Sequence, residues 1–377
     1  MSKSTLAWIL GCLLAAGMVA RSDRLTAESP AGGAEAEVAW HDVRQIGVEG
    51  RAWPDADMKR YFARLPGRAE GKVPPAVWGL SQHSAGLAVR FETDATTIRV
   101  RYALQSAGLA MPHMPATGVS GVDLYAQDDQ GVWRWVAVSK PDKQQIEAVL
   151  ASGLQPGKRQ YMLYLPLYNG VESLEIGVPA GAAFQGLPPR PDKPIVFYGT
   201  SIVHGGCASR PGMCHPAILG RRLNRPVVNL GFSGNGRMDA SVGDFLSEID
   251  AAVFVIDCLP NMSPDLVKER TVPLVHRLGE ARPGAAIVLV EDRVMTNAWI
   301  RPDQAQRHRE NHAALRAAFE QLKAENVPRL FYVEGDHLLG DDNDGATDGS
   351  HPSDLGFFRQ ADAMEPVLKQ ALEAAEK

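Results

Sequence analysis

The sequence predicts two regions of different fold class, an all-β region followed by a doubly wound α/β region. Residues 37–189 contain short runs that alternate apolar and polar side chains and are separated by Gly, Pro, Asn and Asp. From residue 190 onwards, near-continuous apolar runs alternate with stretches of helical periodicity. Alternation is typical of antiparallel sheets, whereas apolar runs separated by helices are typical of parallel strands covered on both faces.

The first region is predicted to be a β-sandwich or jelly roll over residues 37–189. Its strand-sized segments are GLAVRFET, TTIRVRYAL, GVDLYAQ, VWRWVAVS, RQYMLYLPL and SLEIGVP. The aromatic segment places Trp133 and Trp135 on one face of a strand. Core or domain-interface packing explains this pair more simply than a sugar-binding platform does, although both interpretations remain open.

The second region, residues 190–377, follows the proline-rich linker PPRPDKP. Five apolar runs predict a five-stranded parallel sheet of the flavodoxin-like type, namely PIVFYGT, PVVNLGF, AAVFVIDCL, AAIVLVED and RLFYVEG. Helical segments separate these runs, and a long helix is predicted to close the chain.

The N-terminus is predicted to be a signal peptide within residues 1–27. Lys3 precedes an apolar run from Leu6 to Ala20, which charged residues end abruptly. Cleavage after Ala20 or Ala27 would release a periplasmic or extracellular protein, and an uncleaved anchor is the alternative. No other run is long and apolar enough to cross a bilayer.

Composition excludes some classes of function. The chain has 377 residues, 45% of them hydrophobic and 22% charged, which is typical of globular proteins rather than disordered ones. The formal net charge is -5 and there is no basic run, so electrostatic binding to nucleic acid is not expected.

The residues that follow the apolar runs predict a catalytic site at the carboxyl edge of the sheet, where such folds bind ligands. Ser201 follows the first run, Gly231 ends the second, and Asn261 follows the third, while Asp348 and His351 lie beyond the fifth. A serine needs a base to become nucleophilic, and a carboxylate orients that base. The N–H groups of Ser201 and Gly231 and the amide of Asn261 are candidate oxyanion donors.

The acid of this site has competitors in the same acidic loop. Asp348 is favoured because it lies three residues before His351, but the loop also contains Asp341, Asp342 and Asp344. A calcium loop with Gly345 as its turn glycine would put Gly340 at the first ligand position and His351 at the twelfth, so the pattern fails. No metal or other cofactor is predicted.

The cysteines leave alternatives open. In an oxidising compartment Cys207 and Cys214 could close a short disulfide, or both could be free thiols. Together with His204 and His215 they could also suggest zinc, but the spacing is not that of a usual zinc site. Cys258, in an apolar run, is expected to be a packing residue.

Other polar residues near these segments are less specific. Arg210 follows the nucleophile segment and is a candidate substrate-binding residue, with an ordinary surface position as the alternative. Glu291 and Arg293 follow the fourth strand and could pair with each other. His113 and Asp123 could contribute to the cleft or simply stabilise turns and core.

The four blocks at the strand ends resemble the SGNH, or GDSL-type, hydrolase family. The resemblance assigns Ser201 as nucleophile, His351 as base and Asp348 as triad acid, with Gly231 and Asn261 as oxyanion donors. It covers the second region and implies its α/β fold.

The first region strengthens this resemblance. The segment HMPATGVSGVDLY is similar to the β-rich N-terminal domain of some SGNH hydrolases, whose Gly-x-Asp-Leu-Tyr signature corresponds to Gly121–Tyr125. Two departures from the family pattern exist: Thr200 replaces the usual aspartate before the serine, and Asn261 lacks the usual glycine and aspartate around it.

The resemblance and the predicted export together suggest a carbohydrate esterase that removes acetyl or similarly small acyl groups through an acyl-enzyme on Ser201. Its expected partners are small esters or acylated glycans, and the oligomeric state is left open. A lipase or thioesterase acting on longer acyl chains and a non-catalytic glycan-binding protein are the alternatives.

Overall fold

The structure, a computed structural model, describes residues 37–376. The predicted signal peptide and Cys12 lie outside the described residues. Within the described range, no helix has the length and apolar character that a membrane span requires.

The first half of the described chain consists mainly of two antiparallel sheets. One sheet has the strand order β1-β8-β3-β6 and the other β5-β4-β7-β2-β9. The strands are β1 (Val38–Asp42), β2 (Ala88–Thr93), β3 (Thr97–Leu104), β4 (Asp123–Gln127), β5 (Trp133–Val138), β6 (Gln145–Ser152), β7 (Arg159–Tyr164), β8 (Val171–Pro179) and β9 (Phe184–Leu187). Three short helices lie between them: α1 (Val43–Ile46), α2 (Pro75–Ser81) and α3 (Ala116–Val119).

The two sheets share one hydrophobic core. Val100 and Ile176 from the first sheet and Phe91 and Leu163 from the second belong to the same buried cluster. The predicted antiparallel β-rich region is therefore confirmed, and its assignment as a jelly roll stays a prediction. Strands β1, β6 and β9 were not among the predicted segments.

The second half is built on a five-stranded parallel sheet with the order β11-β10-β12-β13-β14. Its strands are β10 (Ile195–Gly199), β11 (Val227–Gly231), β12 (Val253–Asp257), β13 (Ala286–Val290) and β14 (Leu330–Val333). Numbered along the chain this order is 2-1-3-4-5, which is the doubly wound arrangement found in flavodoxin-like folds. The predicted fold class is confirmed.

Helices cover both faces of the parallel sheet. They are α4 (Ser201–His204), α5 (His215–Arg222), α6 (Ala240–Leu246), α7 (Pro264–Ala281), α8 (Pro302–Ala324) and α9 (Asp354–Ala375). Along β10, Val196 and Tyr198 belong to the core cluster with α6, α7 and α8, whereas Ile195 and Phe197 belong to the cluster with α5 and α9. Successive strand residues point to opposite faces, which explains why these strands are apolar throughout.

The β-rich region is joined to the parallel sheet by a buried arginine. The fully buried guanidinium of Arg64 donates to the carbonyls of Asn229 at 3.1 Å and Gly231 at 2.7 Å, at the end of β11. It also donates to the carbonyls of Leu80 at 2.7 Å and His83 at 3.0 Å within its own region. Burial lowers the pKa of Arg64 to about 9, so the group remains charged at neutral pH.

Candidate active site

The nucleophile candidate lies at a tight strand-to-helix turn. Strand β10 ends at Gly199, and Ser201 is the first residue of α4, whose N-cap Thr200 accepts a hydrogen bond from the Ile202 N–H at 3.3 Å. A Cβ atom at Gly199 would lie 2.4 Å from the Asp257 carbonyl oxygen, so only glycine fits there. The Ser201 N–H, at the start of the helix, has no acceptor among the described residues.

Serine, histidine and aspartate form a continuous hydrogen-bonded chain. Ser201 Oγ lies 2.8 Å from His351 Nε2, and His351 Nδ1 lies 2.8 Å from Asp348 Oδ2. Burial acts to raise the pKa of Asp348, but hydrogen bonds from His351 and the Ser350 N–H outweigh it and lower that pKa to about 2. The carboxylate is therefore ionised at neutral pH and can hold the imidazole in one tautomer.

The other aspartates of the acidic loop have different partners. Asp341 Oδ1 lies 2.6 Å from His337 Nδ1, and Asp342 accepts from Arg359 at 2.7 Å. Asp344 donates its own N–H to Asp342 at 3.1 Å. Of the four candidates, the structure brings only Asp348 to the His351 ring.

The predicted oxyanion donors differ in whether their N–H groups are free to donate. The Nδ2 atom of Asn261 is buried and has no hydrogen-bond partner in the described part of the chain, so its donor capacity is free. The N–H of Gly231, in contrast, already donates to Asn229 Oδ1 at 2.9 Å. A Cβ atom at Gly231 would lie 2.1 Å from the His204 nitrogen, so glycine is required there for packing. The prediction for Gly231 is therefore wrong.

A turn just beyond β11 offers a substitute donor. Its first residue, Phe232, donates to the Gly199 carbonyl at 2.9 Å and so ties the turn to the nucleophile strand. Gly234, two residues on, is exposed with φ 71°, and no described group accepts from its N–H. Gly234 belongs to the segment FSGNG, directly after the apolar run that ends at Gly231. The sequence alone does not distinguish the two glycines as donors.

Tyr168 is a functional candidate that the sequence analysis missed. This residue follows β7, and its hydroxyl donates to the Ser201 carbonyl at 3.2 Å. Its ring stacks on the buried His204 ring with centroids 4.1 Å apart. A Cβ atom placed on Gly206 would lie 3.0 Å from the Tyr168 hydroxyl and 3.3 Å from His351 Cδ2, which shows how closely these groups surround the site.

Arg293 forms hydrogen bonds with the loop that carries His351. Its Nε donates to the Ser350 carbonyl at 2.9 Å, its Nη2 contacts Ser350 Oγ, and its guanidinium pairs with Asp292. Burial lowers the pKa of Arg293 to about 10, so it stays charged. The suggested pairing with Glu291 is wrong, because Glu291 accepts from Arg316 at 2.8 Å.

A buried carboxyl lies below the same edge of the sheet. Asp257, the last residue of β12, is 2% exposed, and its Oδ2 lies 3.8 Å from His215 Nε2. Burial raises the pKa of Asp257 to about 7, although the charge of Arg293 acts to lower it. The carboxyl group of Asp257 can therefore titrate near neutral pH.

The thiols are unpaired. Cys207, Cys214 and Cys258 are free and buried, so the disulfide alternative is not what the structure shows. Cys207 has a left-handed backbone with φ 73°. Burial and the charge of Asp348 raise the pKa of Cys207 to about 11, so its thiol is not a competing nucleophile at neutral pH.

Arg210 is not placed to bind substrate as predicted. Its Nη1 donates to Asp123 Oδ2 at 3.0 Å and contacts the Tyr125 hydroxyl. The same carboxylate oxygen accepts from the Gly212 N–H at 2.8 Å. The Gly-x-Asp-Leu-Tyr signature therefore anchors the loop that leaves the nucleophile helix.

Two exposed residues belong to segments that reach His351 or its loop. The His113 ring lies 6.0 Å from the His351 ring, centroid to centroid, so this part of the β-rich region does reach the cleft. Trp299, 75% exposed, belongs to a loop that is tied to the histidine loop by a 3.0 Å hydrogen bond from Thr296 N–H to the Gly349 carbonyl.

Comparisons with known proteins agree with this architecture. Residues 192–369 match the model of the GDSL-like lipase/acylhydrolase family, and residues 38–184 match the GxDLY model, described as the N-terminus of SGNH-hydrolase-type esterases. The crystal structure of a GDSL-like lipase from Bacteroides ovatus shares 32% identity, covers 89% of this chain and 98% of its own, and superposes with a TM-score of 0.84. The chain belongs to the GDSL-like lipase/acylhydrolase family.

More distant structures share the fold of this SGNH-type chain. The salicylyl-acyltransferase SsfX3 from a tetracycline biosynthetic pathway has 17% identity and a TM-score of 0.67, covering 86% of this chain and 94% of its own. A family two carbohydrate esterase from Cellvibrio japonicus has 14% identity and a TM-score of 0.60, with coverage of 90% and 99%. None of the curated proteins compared with the chain matches it.

Proposed function

We propose that this SGNH-type esterase hydrolyses acetyl or similarly small acyl esters of carbohydrates through an acyl-enzyme on Ser201. The observation that carries the proposal is the continuous chain from Ser201 Oγ to His351 Nε2 and from His351 Nδ1 to Asp348, with both contacts at 2.8 Å. Such a chain supplies an activated nucleophile and an oriented base without any cofactor.

In the first half of the reaction, Ser201 Oγ attacks the ester carbonyl while His351 Nε2 takes the hydroxyl proton. The tetrahedral oxyanion is stabilised by the free amide of Asn261, the Ser201 N–H and the Gly234 N–H. His351 then passes its proton to the departing alcohol, which leaves an acyl group on Ser201. Asp348 remains ionised throughout and stabilises the imidazolium.

In the second half, a water molecule takes the place of the alcohol. His351 accepts a proton from this water, whose oxygen attacks the acyl carbonyl. Collapse of the second tetrahedral intermediate returns the proton to Ser201 Oγ and releases the acid. In each half His351 gains one proton and then gives it up, so the enzyme ends in its starting state.

Crowding around the nucleophile favours a small acyl group. Tyr168, Gly206 and Cys207 lie against the Ser201–His351 pair, and even a methyl group on Gly206 would approach the Tyr168 hydroxyl to 3.0 Å. The exposed Trp299 beside the histidine loop offers the flat apolar surface that sugar rings commonly stack on. The carbohydrate part of the proposal also draws on the fold shared with the Cellvibrio esterase.

The substrate class is tested by measuring acid release from p-nitrophenyl esters of graded chain length and from a panel of acetylated polysaccharides. We expect acetate to be the best acyl group and the Ser201→Ala variant to release none above background. A long-chain optimum would instead indicate a lipase or thioesterase. Equal slow rates in wild type and Ser201→Ala would show that the protein is not a serine esterase.

We further propose that the chain is exported, because residues 1–27 have the charged start and apolar run of a signal peptide. N-terminal sequencing of the protein recovered from the periplasm or medium tests this. A mature N-terminus after Ala20 or Ala27 is expected, and an intact, cell-retained Met1 would contradict export.

A further inference from the structure

Three different metal-binding side chains meet at the proposed catalytic site. Cys207, Asp348 and His351 each present one ligand atom, and these atoms all lie within 4.8 Å of one another. No other group of three or more His, Cys, Asp and Glu ligands comes this close within residues 37–376. Two members serve the proposed mechanism, whereas Cys207 has no role in it.

We propose that these three side chains form an inhibitory zinc site, in which the metal disables the catalytic histidine. Binding itself depends only on the positions of the three side chains, whereas inhibition rests on the proposed esterase function. The inference also gives Cys207 a role that its neutral thiol does not have in ester hydrolysis.

The ligand set suits zinc better than the harder cations. Zinc accepts sulfur, imidazole nitrogen and carboxylate oxygen together, with bonds of about 2.0–2.3 Å in a tetrahedral site. Ligand atoms around such an ion are therefore roughly 3.3–3.8 Å apart, so atoms within 4.8 Å need to move by about 1 Å. Magnesium and calcium prefer sites made of oxygen alone, and a thiol disfavours them.

The site is open on one side. Asp348 is exposed and His351 is half-buried, while Cys207 lies at the floor with 7% of its surface exposed. An ion can therefore enter from solvent past the carboxylate, and a water molecule can complete the fourth position. Three protein ligands plus one water is an arrangement that zinc commonly adopts.

Metal binding and base catalysis exclude each other here. If zinc binds His351 Nδ1, the single proton of the neutral ring moves from Nδ1 to Nε2, and Nε2 has no lone pair left for the serine proton; if zinc binds Nε2, it occupies the lone pair that faces Ser201 Oγ. In both cases the imidazole can no longer take the proton of the serine hydroxyl. Coordination also releases the Cys207 thiol proton to solvent, and no electron is transferred.

The other described thiols provide a matched control. Cys214 is 1% exposed, and its Sγ donates to the Pro211 carbonyl at 3.3 Å. Cys258 is fully buried, with its Sγ 3.7 Å from the Tyr198 carbonyl oxygen. Neither belongs to the three-ligand group, so Cys214→Ser removes a thiol of this chain without changing a ligand of the proposed site.

Binding is tested directly in a Ser201→Ala protein, which keeps all three ligands and needs no activity. After treatment with a chelator, the protein is titrated with cobalt(II), a coloured substitute for zinc, and in parallel with zinc by calorimetry. We expect a thiolate-to-cobalt charge-transfer band at one equivalent that zinc abolishes. Adding Cys207→Ser should remove the band and weaken zinc binding at least tenfold, whereas adding Cys214→Ser should leave both unchanged.

An absent cobalt band, or a band that survives Cys207→Ser and disappears with Cys214→Ser, would overturn the site. Melting curves verify that each variant is folded. Should Cys207→Ser fail to fold, Asp348→Asn serves as the second variant, and unaltered zinc affinity in it would likewise overturn the site.

Inhibition is then measured on the active enzyme, with each variant compared with its own metal-free rate. Zinc is expected to inhibit wild type reversibly, with recovery on adding chelator, and to inhibit Cys207→Ser at least tenfold more weakly. Equal inhibition of both would reject the proposal. An inactive wild type that still shows the cobalt band would reject the proposed esterase function and leave the metal site standing.

Discussion

The two halves of the molecule contribute to the site in different ways. The parallel-sheet region contains the proposed reacting groups: Ser201 follows β10, Asn261 follows β12 and His351 precedes α9. The β-rich region supplies contacts that hold these elements, through Arg64, Tyr168 and the Asp123 carboxylate of its signature. Parallel strands bring their carboxyl ends to one edge, so chemistry there leaves a pattern in the sequence. Supporting contacts such as those of Arg64 and Tyr168 leave no such pattern.

The largest effect should come from the reacting groups. Ser201→Ala removes the nucleophile and should lower kcat by roughly 10⁴–10⁶-fold, with an unchanged melting temperature. Steady-state kinetics on p-nitrophenyl acetate measure this. Retention of more than a tenth of the wild-type rate would contradict the proposal that the parallel-sheet region contains the nucleophile.

Arg64 makes a buried structural contact between the two regions. Arg64→Met leaves four carbonyl acceptors without their donor, two of them buried and two partly buried, and should lower the free energy of unfolding by about 3–5 kcal/mol. Denaturant titration measures the loss. Arg68→Met is the control, because Arg68 forms an exposed ion pair with Glu248 and should cost about 1 kcal/mol or less. Similar losses in both variants would mean that the buried contact does not join the regions.

The free amide of Asn261 is the donor with the clearest structural support. Asn261→Ala should lower kcat by about 10²–10³-fold with little change in KM, because the oxyanion exists only along the reaction path. Asn261→Asp keeps the shape and removes the donor, so it should be as slow. Activity within threefold of wild type in both variants would rule out this donor.

The buried carboxyl of Asp257 should make stability depend on pH. Because its pKa is raised to about 7, the folded protein keeps a proton that the unfolded chain has released above pH 5. The free energy of unfolding, relative to that of Asp257→Asn, should therefore fall by about 2 kcal/mol as the pH rises from 5 to 7. Denaturant titrations of both proteins at the two pH values test this, and parallel profiles would contradict it.

The smallest effect should come from Tyr168, a positioning residue from the β-rich region. Tyr168→Phe removes the hydrogen bond to the Ser201 carbonyl and should lower kcat about fivefold, since one such bond contributes about 1 kcal/mol. Tyr102→Phe, which loses a 2.8 Å contact with Ser139 inside the sandwich, should cost stability and leave kcat unchanged. If both variants lose only stability, Tyr168 is structural and the two regions are independent in catalysis.

Local amino-acid patterns were sufficient to predict the two fold classes, the five parallel strands and the order of the motifs. These patterns also indicated Ser201, His351 and Asp348. The ends of the apolar runs mark the ends of the strands, and ester hydrolysis by a serine needs a hydroxyl, a base and a carboxylate at that edge of the sheet. These inferences need only local patterns and the rule that parallel strands end at one edge.

The choice between residues of the same type in one segment required the folded structure. The structure separated Asp348 from three neighbouring aspartates and showed that the Gly231 N–H is already bonded to Asn229. It also turned Arg210 towards Asp123, brought Tyr168 to the Ser201 carbonyl and brought Cys207 close to His351. Such outcomes depend on which donor meets which acceptor after distant segments have packed together, as Arg210 and Asp123 do from 87 positions apart, and no local pattern encodes that pairing.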